Sequence, residues 1–456
     1  MSKLFNGFDA VTSKQWKQQI QFDLKGANYN DALIWKTVED IDVKPFYHAD
    51  EFKVSPKLSN NGATSWNICQ TIYVADVKKS NKKAVDAIER GAESIKFIIP
   101  DETISITNLI ENIDIASTPL YFEMEFLSEK YISRFLTISN KENIHIQTDI
   151  IGNLAKSGNW FSSLKNDHIL LEAIVKQTNT LTIDATLYQN SGANMVQQLA
   201  YALSHSNEYL SHFDSILEKD KKQSTKVIFN VSMGTNYFFE IAKLRALRIS
   251  WKTLASQYGY NTACLINVTP TKRNKTLYDY NTNMLRTTTE YMSAILGGAN
   301  SVCSLSYDAL YHKDNEFGER IARNQLLILK YESYFDKVAN PADGSYFIET
   351  LTNQLAEKAL ELFKNIEANG GFLTQLKTGT IQRKIKESAT KEQQRFDNDE
   401  KILVGSNKNV NPNDKMKNEL ELYPFVKTNQ RKTLIEPIIE KRLSEKLEQQ
   451  RLKTED

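Results

Sequence analysis

A chain of 456 residues with 41% hydrophobic content is long enough for one large barrel with extensions or for two ordinary domains. Its 57 Lys and Arg against 56 Asp and Glu leave no field to draw it to nucleic acid or to an anionic membrane, so neither partner is expected. Cys69, Cys264 and Cys303 are odd in number and far apart, which argues against a disulfide framework and a zinc site and fits a reducing compartment. Met1 leads straight into polar sequence and no run of about 18 apolar residues follows, so a soluble, cytoplasmic protein is expected.

In chain order, residues 13–24 carry Trp16, Ile20 and Leu24 one turn apart, after Thr12 or Ser13 as cap and before Gly26 as stop, which predicts a short amphipathic helix. Residues 28–51 are irregular and hold Tyr29, Trp35, Phe46 and Tyr47, an arm that cannot bury its aromatics alone; packing on its own chain and wrapping a partner subunit are equally open. From Ser65 the chain alternates. Strands are predicted at 65–74, 94–99, 119–125, 145–151, 180–188, 226–233, 262–268 and 301–307. Helical faces recur between them: Val196, Leu199, Leu203 and Leu210; Phe238, Ile241, Ala242 and Ile249; Leu285, Met292, Ile295 and Leu296 before Gly297; and Phe317, Ile321 and Ile328. Strands and helices alternating over about 250 residues read as a (β/α)8 barrel, although a doubly wound sheet gives the same alternation.

After Glu349 a helix runs to Asn369, and residues 382–400 are charged and helical in composition. Residues 409–413 form a loop, and a last helix over 434–452 carries mixed charge, read as a solvated tail first and a subunit contact second. His48, His145, His168, His205, His212 and His312 offer no metal spacing; His205 and His212 lie about 10 Å apart along one helix, too far for one ion. There is no Gly-rich phosphate loop, no G-x-S-x-G elbow and no H-E-x-x-H. The paired acids Glu39 with Asp40 and Asp397 with Asp399 read as solvated faces.

Several longer words carry more. R-T-T at Arg286, L-G-G-x-x-S, S-Y-D and R-I-A-R-N follow one another over residues 286–324, and N-P-A-D-G-S-Y-F-I-E spans 340–349. With A-N-Y-N-D-A-L-I-W-K-T and D-V-K-P-F-Y in the arm and I-L-V-G-S-N-K at 402–408, they resemble the methylmalonyl-CoA mutase family over roughly residues 27–408. The resemblance decides for the α/β class and a (β/α)8 TIM barrel. It implies an N-terminal arm (1–60), a mutase-type barrel (61–408) and a charged helical tail (409–456).

The same comparison shows where chemistry is lost. The family's G-Y-H-M-Q-E-A-G-A is read here from Ala185 to Ala193, so Leu187 stands where a histidine meets cobalamin and the substrate thioester. The family's W-x-I-R-Q-Y begins here at Trp66, placing Cys69 at the arginine and Thr71 at the tyrosine; S-L-H-T-N begins at Ser301, placing Cys303 at the histidine and Leu305 at the asparagine. A leucine neither donates a hydrogen bond nor exchanges a proton. No D-x-H-x-x-G cobalamin word occurs before Asp456, so no cobalamin-binding domain is expected on this chain. The resemblance therefore implies the catalytically silent small (beta) subunit of a two-subunit enzyme that interconverts methylmalonyl-CoA and succinyl-CoA. Adenosylcobalamin would be bound by the catalytic large (alpha) subunit, and this chain would hold no catalytic, cofactor-binding or metal residue. Two rivals stay open: an active barrel supplied with its cobalamin domain in trans, and a CoA-ester-binding module without turnover.

Overall fold

The computed structural model describes residues 7, 9–52, 63–139, 141–427 and 430–455, the side chains of Ala63 and Lys141 excepted. The ends of the arm read from the sequence, at 1–6 and 53–60, lie outside them. Eight parallel strands form the frame: β1 (Asn67–Tyr73), β2 (Ser94–Ile99), β3 (Leu120–Met124), β4 (Ile144–Gln147), β5 (Thr180–Asp184), β6 (Lys226–Met233), β7 (Leu265–Pro270) and β8 (Ser301–Cys303). Their hydrogen-bonded order is β4-β3-β2-β1-β8-β7-β6-β5, so first and last strands pair and the sheet curls into a barrel. This is the expected (β/α)8 architecture. One seam, between β4 and β5, carries no main-chain ladder among the described residues.

Alternation along the strands decides what faces where. Ile95, Phe97 and Ile99 of β2 and Leu120, Phe122 and Met124 of β3 join one apolar cluster beneath the surrounding helices, and Val227, Phe229, Val231 and Met233 of β6 join another. Helices start at side-chain caps: Asp76 opens Val77–Glu89, Ser163 opens Leu164–Thr178, and Asn194 with Gln197 makes a reciprocal capping box at Met195–Phe213. After β2 and β3 the outer layer thins to the four-residue helices Ile106–Leu109 and Glu129–Ile132.

Where sequence periodicity misplaced a face, buried polar contacts are the reason. On Thr282–Leu296 the expected apolar stripe included Leu285, which is 70% exposed. The buried face instead carries Asn283, which bonds the Thr276 main chain, and Glu290, which pairs with Lys275 at 2.7 Å. Phe238, Ile249, Phe317 and Ile328 are likewise exposed, whereas Leu199, Leu203 and Leu210 are buried as expected. The helix expected over 434–452 is confined to Glu445–Thr454. Pro437 cannot continue a helix, and the N–H groups of Leu434, Ile435, Ile438, Lys441 and Leu443 bond to barrel loops instead.

The arm divides in two. A short ribbon pairs Trp35–Lys36 with Asp42–Val43, and the aromatics around it rest on the chain's own helices: Trp35 on Phe239 (5.8 Å), Tyr47 on Phe347 (5.3 Å) and Phe52 on Tyr346 (5.5 Å). The helix Ser13–Asp23 buries none of its residues. It is tied down by the Trp16–Phe46 stack at 4.3 Å and by a Ser13 N–H bond to Asp50, leaving Phe22 78% exposed.

The unladdered seam is closed by a side chain. Asp149, just after β4, accepts the main-chain N–H of Asp184 at the end of β5 (2.7 Å) and that of Gly152 (2.7 Å). It also takes bonds from His205 Nε2 (3.0 Å) and the Tyr209 hydroxyl (2.6 Å). Burial pushes its carboxyl up, but His205, Tyr209 and the main-chain donor outweigh that and hold it below its ordinary value. Replacing Asp149 by alanine strands four buried donors and should cost about 3 kcal/mol or more in urea unfolding at neutral pH. Because the folded value is depressed, this stabilisation is present above the ordinary carboxyl value of about 3.9 and lost as pH falls through the lower folded one. The gap between parent and Asp149→Ala should therefore hold steady above about pH 5 and close in stronger acid.

Candidate functional site at the barrel mouth

Between the outward apolar residues stand the inward ones, and they are polar: Ser94 and Lys96 on β2, Tyr121 and Glu123 on β3, His145 and Gln147 on β4. Thr182 and Asp184, Asn230 and Ser232, and Asn267 and Thr269 continue the ring on β5, β6 and β7. Barrels of this type ordinarily fill their interior with branched apolar side chains. Here Lys96, Tyr121, His145, Gln147, Asn230 and Asn267 are each 9% exposed or less, so at their level the lumen is filled rather than open. Gln147 and Asn230 exchange amide bonds at 3.3 and 3.4 Å.

Charge is concentrated toward the mouth. Burial alone would lower the Lys96 ammonium, but Glu123 at 2.5 Å raises it above its ordinary value, and Glu123 is in turn lowered by Lys96 against its own burial. Asp184 is raised, by burial first and then by Glu123. Its carboxylate accepts from Thr186 through both main-chain N–H (3.1 Å) and hydroxyl (2.6 Å).

The substituted family positions fall into two groups. Cys69 and Cys303 are direct register partners on β1 and β8, each 1% exposed, with their thiols hydrogen-bonded to each other. The Cys69 hydrogen bond and the Lys96 ammonium lower the Cys303 thiol against the effect of its burial, and Cys69, giving that bond from a buried position, is raised. Thr71 lies one inward step along β1 and also bonds Cys303. Leu187 is across the barrel, in the helical turn Thr186–Asn190 after β5, 3% exposed and part of the main apolar core. Leu305 lies just beyond β8, half-buried, its N–H bonded to the Tyr291 hydroxyl at 2.8 Å. Cys69, Thr71 and Cys303 are thus brought together with Leu305 two residues beyond Cys303, whereas Leu187 follows β5 on the opposite side of the barrel.

The retained family words hold the frame. Trp66 is buried, donating its ring N–H to the Phe335 carbonyl (3.3 Å) while Lys330 sits over its ring at 4.6 Å. Gln70 accepts from Arg323 (3.3 Å), and Arg286 reaches Thr276, Asn283 and the Val404 carbonyl. Arg245 pairs with both Asp343 and Glu349.

Residues 409–427 and 430–455 are anchored as a strap around the rim of the mouth. Glu421 and Leu422 donate their N–H groups to the Tyr311 carbonyl, after β8. Leu434 and Ile435 donate to Gly158 and Ile438 to Ala155, after β4; Lys441 donates to Asn190, after β5; Leu443 donates to Arg273, after β7. Gly158 takes φ +80°, and a Cβ there would stand 2.8 Å from the Ile435 carbonyl oxygen, so the approach needs glycine. Ile435, Ile438 and Leu443 are 5%, 4% and 1% exposed, and Arg442 pairs with Glu448 at 2.6 Å beneath them. Every contact falls on a segment that follows the C-terminal end of a barrel strand, the face where this fold places its ligands.

Of the positions that the resemblance sets against cobalamin, Leu187 is 3% exposed in the apolar core and its side chain offers neither donor nor acceptor. Among the described residues no group of three or more His, Cys, Asp and Glu is placed to hold a metal ion, and no helix is long and apolar enough to cross a membrane. Sequence reading missed the lumen charges and the strap. The first had a signal, polar residues on every second position of consecutive strands; the second had only Pro437, which denies the predicted helix.

Three comparisons bear on this geometry. A family model described as methylmalonyl-CoA mutase matches residues 101–454. A methylmalonyl-CoA mutase small subunit of Porphyromonas gingivalis is 32% identical over 439 residues, covering 89% of this chain and 71% of its own length. The methylmalonyl-CoA mutase of Rhizobium meliloti is 26% identical, covering 87% of this chain and 64% of its own; the human mitochondrial methylmalonyl-CoA mutase is 25% identical, covering 86% and 60%. The chain thus spans less than two thirds of these last two relatives.

If the strap seals the lumen, the thiols report it. In a Cys264→Ser background, Cys69 and Cys303 should react with an aromatic disulfide reagent only slowly. Ile438→Asp, which sets a carboxylate at a 4% exposed site, should accelerate labelling at least tenfold while circular dichroism stays native. An unchanged rate in a folded variant would show that something other than the strap closes the mouth.

Proposed function

The chain belongs to the methylmalonyl-CoA mutase family, and from that premise we propose that it is the non-catalytic small subunit of a heterodimeric, adenosylcobalamin-dependent methylmalonyl-CoA mutase. In this reading the complex interconverts methylmalonyl-CoA and succinyl-CoA by radical rearrangement, and a catalytic large subunit binds the adenosylcobalamin and carries the chemistry. One observation carries it: the positions the resemblance makes catalytic hold Cys69, Thr71, Leu187, Cys303 and Leu305, with Leu187 packed into the apolar core and Cys69 and Cys303 buried as register partners. The relative from Porphyromonas gingivalis is itself named a small subunit, which supports the existence of a larger partner.

A silent barrel still acts thermodynamically. Binding only the folded partner, it stabilises that partner by an amount that grows with the logarithm of its own concentration over their dissociation constant. The arm helix Ser13–Asp23 supports a docking role, since its Trp16 and Phe22 remain 45% and 78% exposed on a segment that buries none of its residues. A second reading, a CoA-ester-binding barrel without turnover, is favoured by orphan polar atoms inside the lumen. His145 Nδ1, Thr182 Oγ1 and Asn267 Oδ1 have no hydrogen-bond partner among the described residues, and saturable binding of methylmalonyl-CoA by the isolated chain would decide for it.

Two outcomes test the proposal. Mixed with adenosylcobalamin and desalted, the isolated chain should retain no visible corrinoid absorbance, and neither it nor Leu187→His should turn over methylmalonyl-CoA. The imidazole of Leu187→His would enter a 3% exposed apolar site without a partner, at a cost of about 1 to 3 kcal/mol; turnover by either protein sinks the silent-barrel reading. In the second test, Trp16→Ala combined with Phe22→Ala should weaken co-elution with the large subunit by about 2 kcal/mol or more, the range of buried aromatic anchors. Undiminished co-elution would assign the contact to another surface.

A further inference from the structure

At the end of the barrel opposite the strap, a cavity of about 440 Å³ opens beside the unladdered β4–β5 seam. Its size falls within the range of small-ligand pockets, roughly 300 to 1,000 Å³. One wall is apolar, formed by Phe135, Leu136, Ile144 and Ile146. The other is polar and cationic, formed by Thr180 on β5, Ser224, Lys221 and Lys226.

The two ammonium groups are held by neutral oxygens. Lys221 donates to the Asn179 side-chain oxygen at 2.9 Å and to the Lys176 carbonyl at 3.4 Å, while Lys226 donates to the Glu142 carbonyl at 2.7 Å. Neither ammonium forms an ion pair among the described residues, unlike Lys96, Lys243, Lys275 and Lys330 elsewhere in the barrel, each set against a carboxylate. Glu142 is the only acidic residue on the lining, so the described lining carries one net positive charge. Burial lowers the Lys226 ammonium more than the Glu142 carboxylate raises it, as for a cation short of compensating charge. The family words have no part here: none of the residues that bear them lines the cavity.

We propose that this cavity is a binding site for a small amphiphilic anion, its carboxylate or phosphate head between Lys221 and Lys226 and a short apolar tail against Leu136, Ile144 and Ile146. A charge-assisted bond from each lysine would supply the counter-charge they lack, and the half-exposed Leu136 would be covered by the tail. The site lies on the far side of the barrel from the strap and does not rest on the role proposed for the mouth.

The test is calorimetric titration of the full chain with octanoate, octyl phosphate and inorganic phosphate. Saturable binding of at least one amphiphile, tighter than inorganic phosphate, is expected, and whichever of the two binds tighter identifies the head group. Both Lys221→Met with Lys226→Met and, separately, Leu136→Glu should weaken that binding at least tenfold without lowering the melting temperature, since all three positions are exposed. The proposal is overturned if neither amphiphile saturates, if inorganic phosphate binds as tightly as both, or if either folded variant binds like the parent.

Discussion

Asp149 does for this barrel what main-chain hydrogen bonds do for the other seven strand junctions. A closed parallel sheet must satisfy the N–H and C=O groups of every strand, and at the β4–β5 junction no ladder exists to do so. The carboxylate takes the N–H of Asp184 across that junction, caps the helix Ile150–Ser157 and receives His205 and Tyr209 from the helix Met195–Phe213. With Nε2 donating to Asp149, the His205 Nδ1 is left to accept from the Tyr188 hydroxyl at 3.1 Å, which fixes the turn that carries Leu187. The seam, the first residues of the mouth and one wall of the core therefore depend on a single side chain. At the other end of the same seam the described residues hold no buried carboxylate of this kind, only the Lys226 bond to the Glu142 carbonyl, and there the cavity opens.

A second constraint follows from the polar lumen. Setting a buried Lys96 and the partly exposed Glu123 and Asp184 in and above the barrel lumen is costly unless each charge is compensated in place. The compensation is local and specific: Lys96 with Glu123, Asp184 with Thr186, and the Cys69–Cys303 pair beside Lys96. Such an interior favours one arrangement strongly, because slipping a strand by one residue would turn the charges onto the apolar outer layer. Cys69 and Cys303 fit the same rule, two buried thiols in register that serve each other.

The sequence made the barrel legible because its strands alternate cleanly and its family words are long. Eight strands were placed within a few residues, most closely where both faces are distinct, as at β2 and β6. What it hid has a common cause, polar groups buried by specific partners. Leu285 was assigned to a buried stripe because periodicity counts apolar residues, whereas the helix turns inward the face that bonds Thr276 and Lys275. In the candidate site, the exchange at Leu187 was readable as a lost donor, but nothing local announced that Cys69 and Cys303 would be register partners: they lie on the first and last strands and meet only through closure. The strap was invisible for the same reason, since its composition is that of a solvated tail and its order comes from carbonyls on four distant loops.

Retained words and altered positions then sort by physical role. Trp66, Gln70, Arg245, Arg286, Arg323 and Glu349 each bind across elements, and losing any of them would leave a buried donor or acceptor unpaired. Cys69, Thr71, Leu187, Cys303 and Leu305 make their contacts within the chain, with one another, with the core or with neighbouring main chain. The C-terminal residues fall within the family match, which runs to residue 454, so their anchoring on the rim belongs with the retained frame. The orphan atoms of His145, Thr182 and Asn267 are of a third kind, polar groups without a partner among the described residues, set on β4, β5 and β7 where a new side chain would have to fit a filled interior.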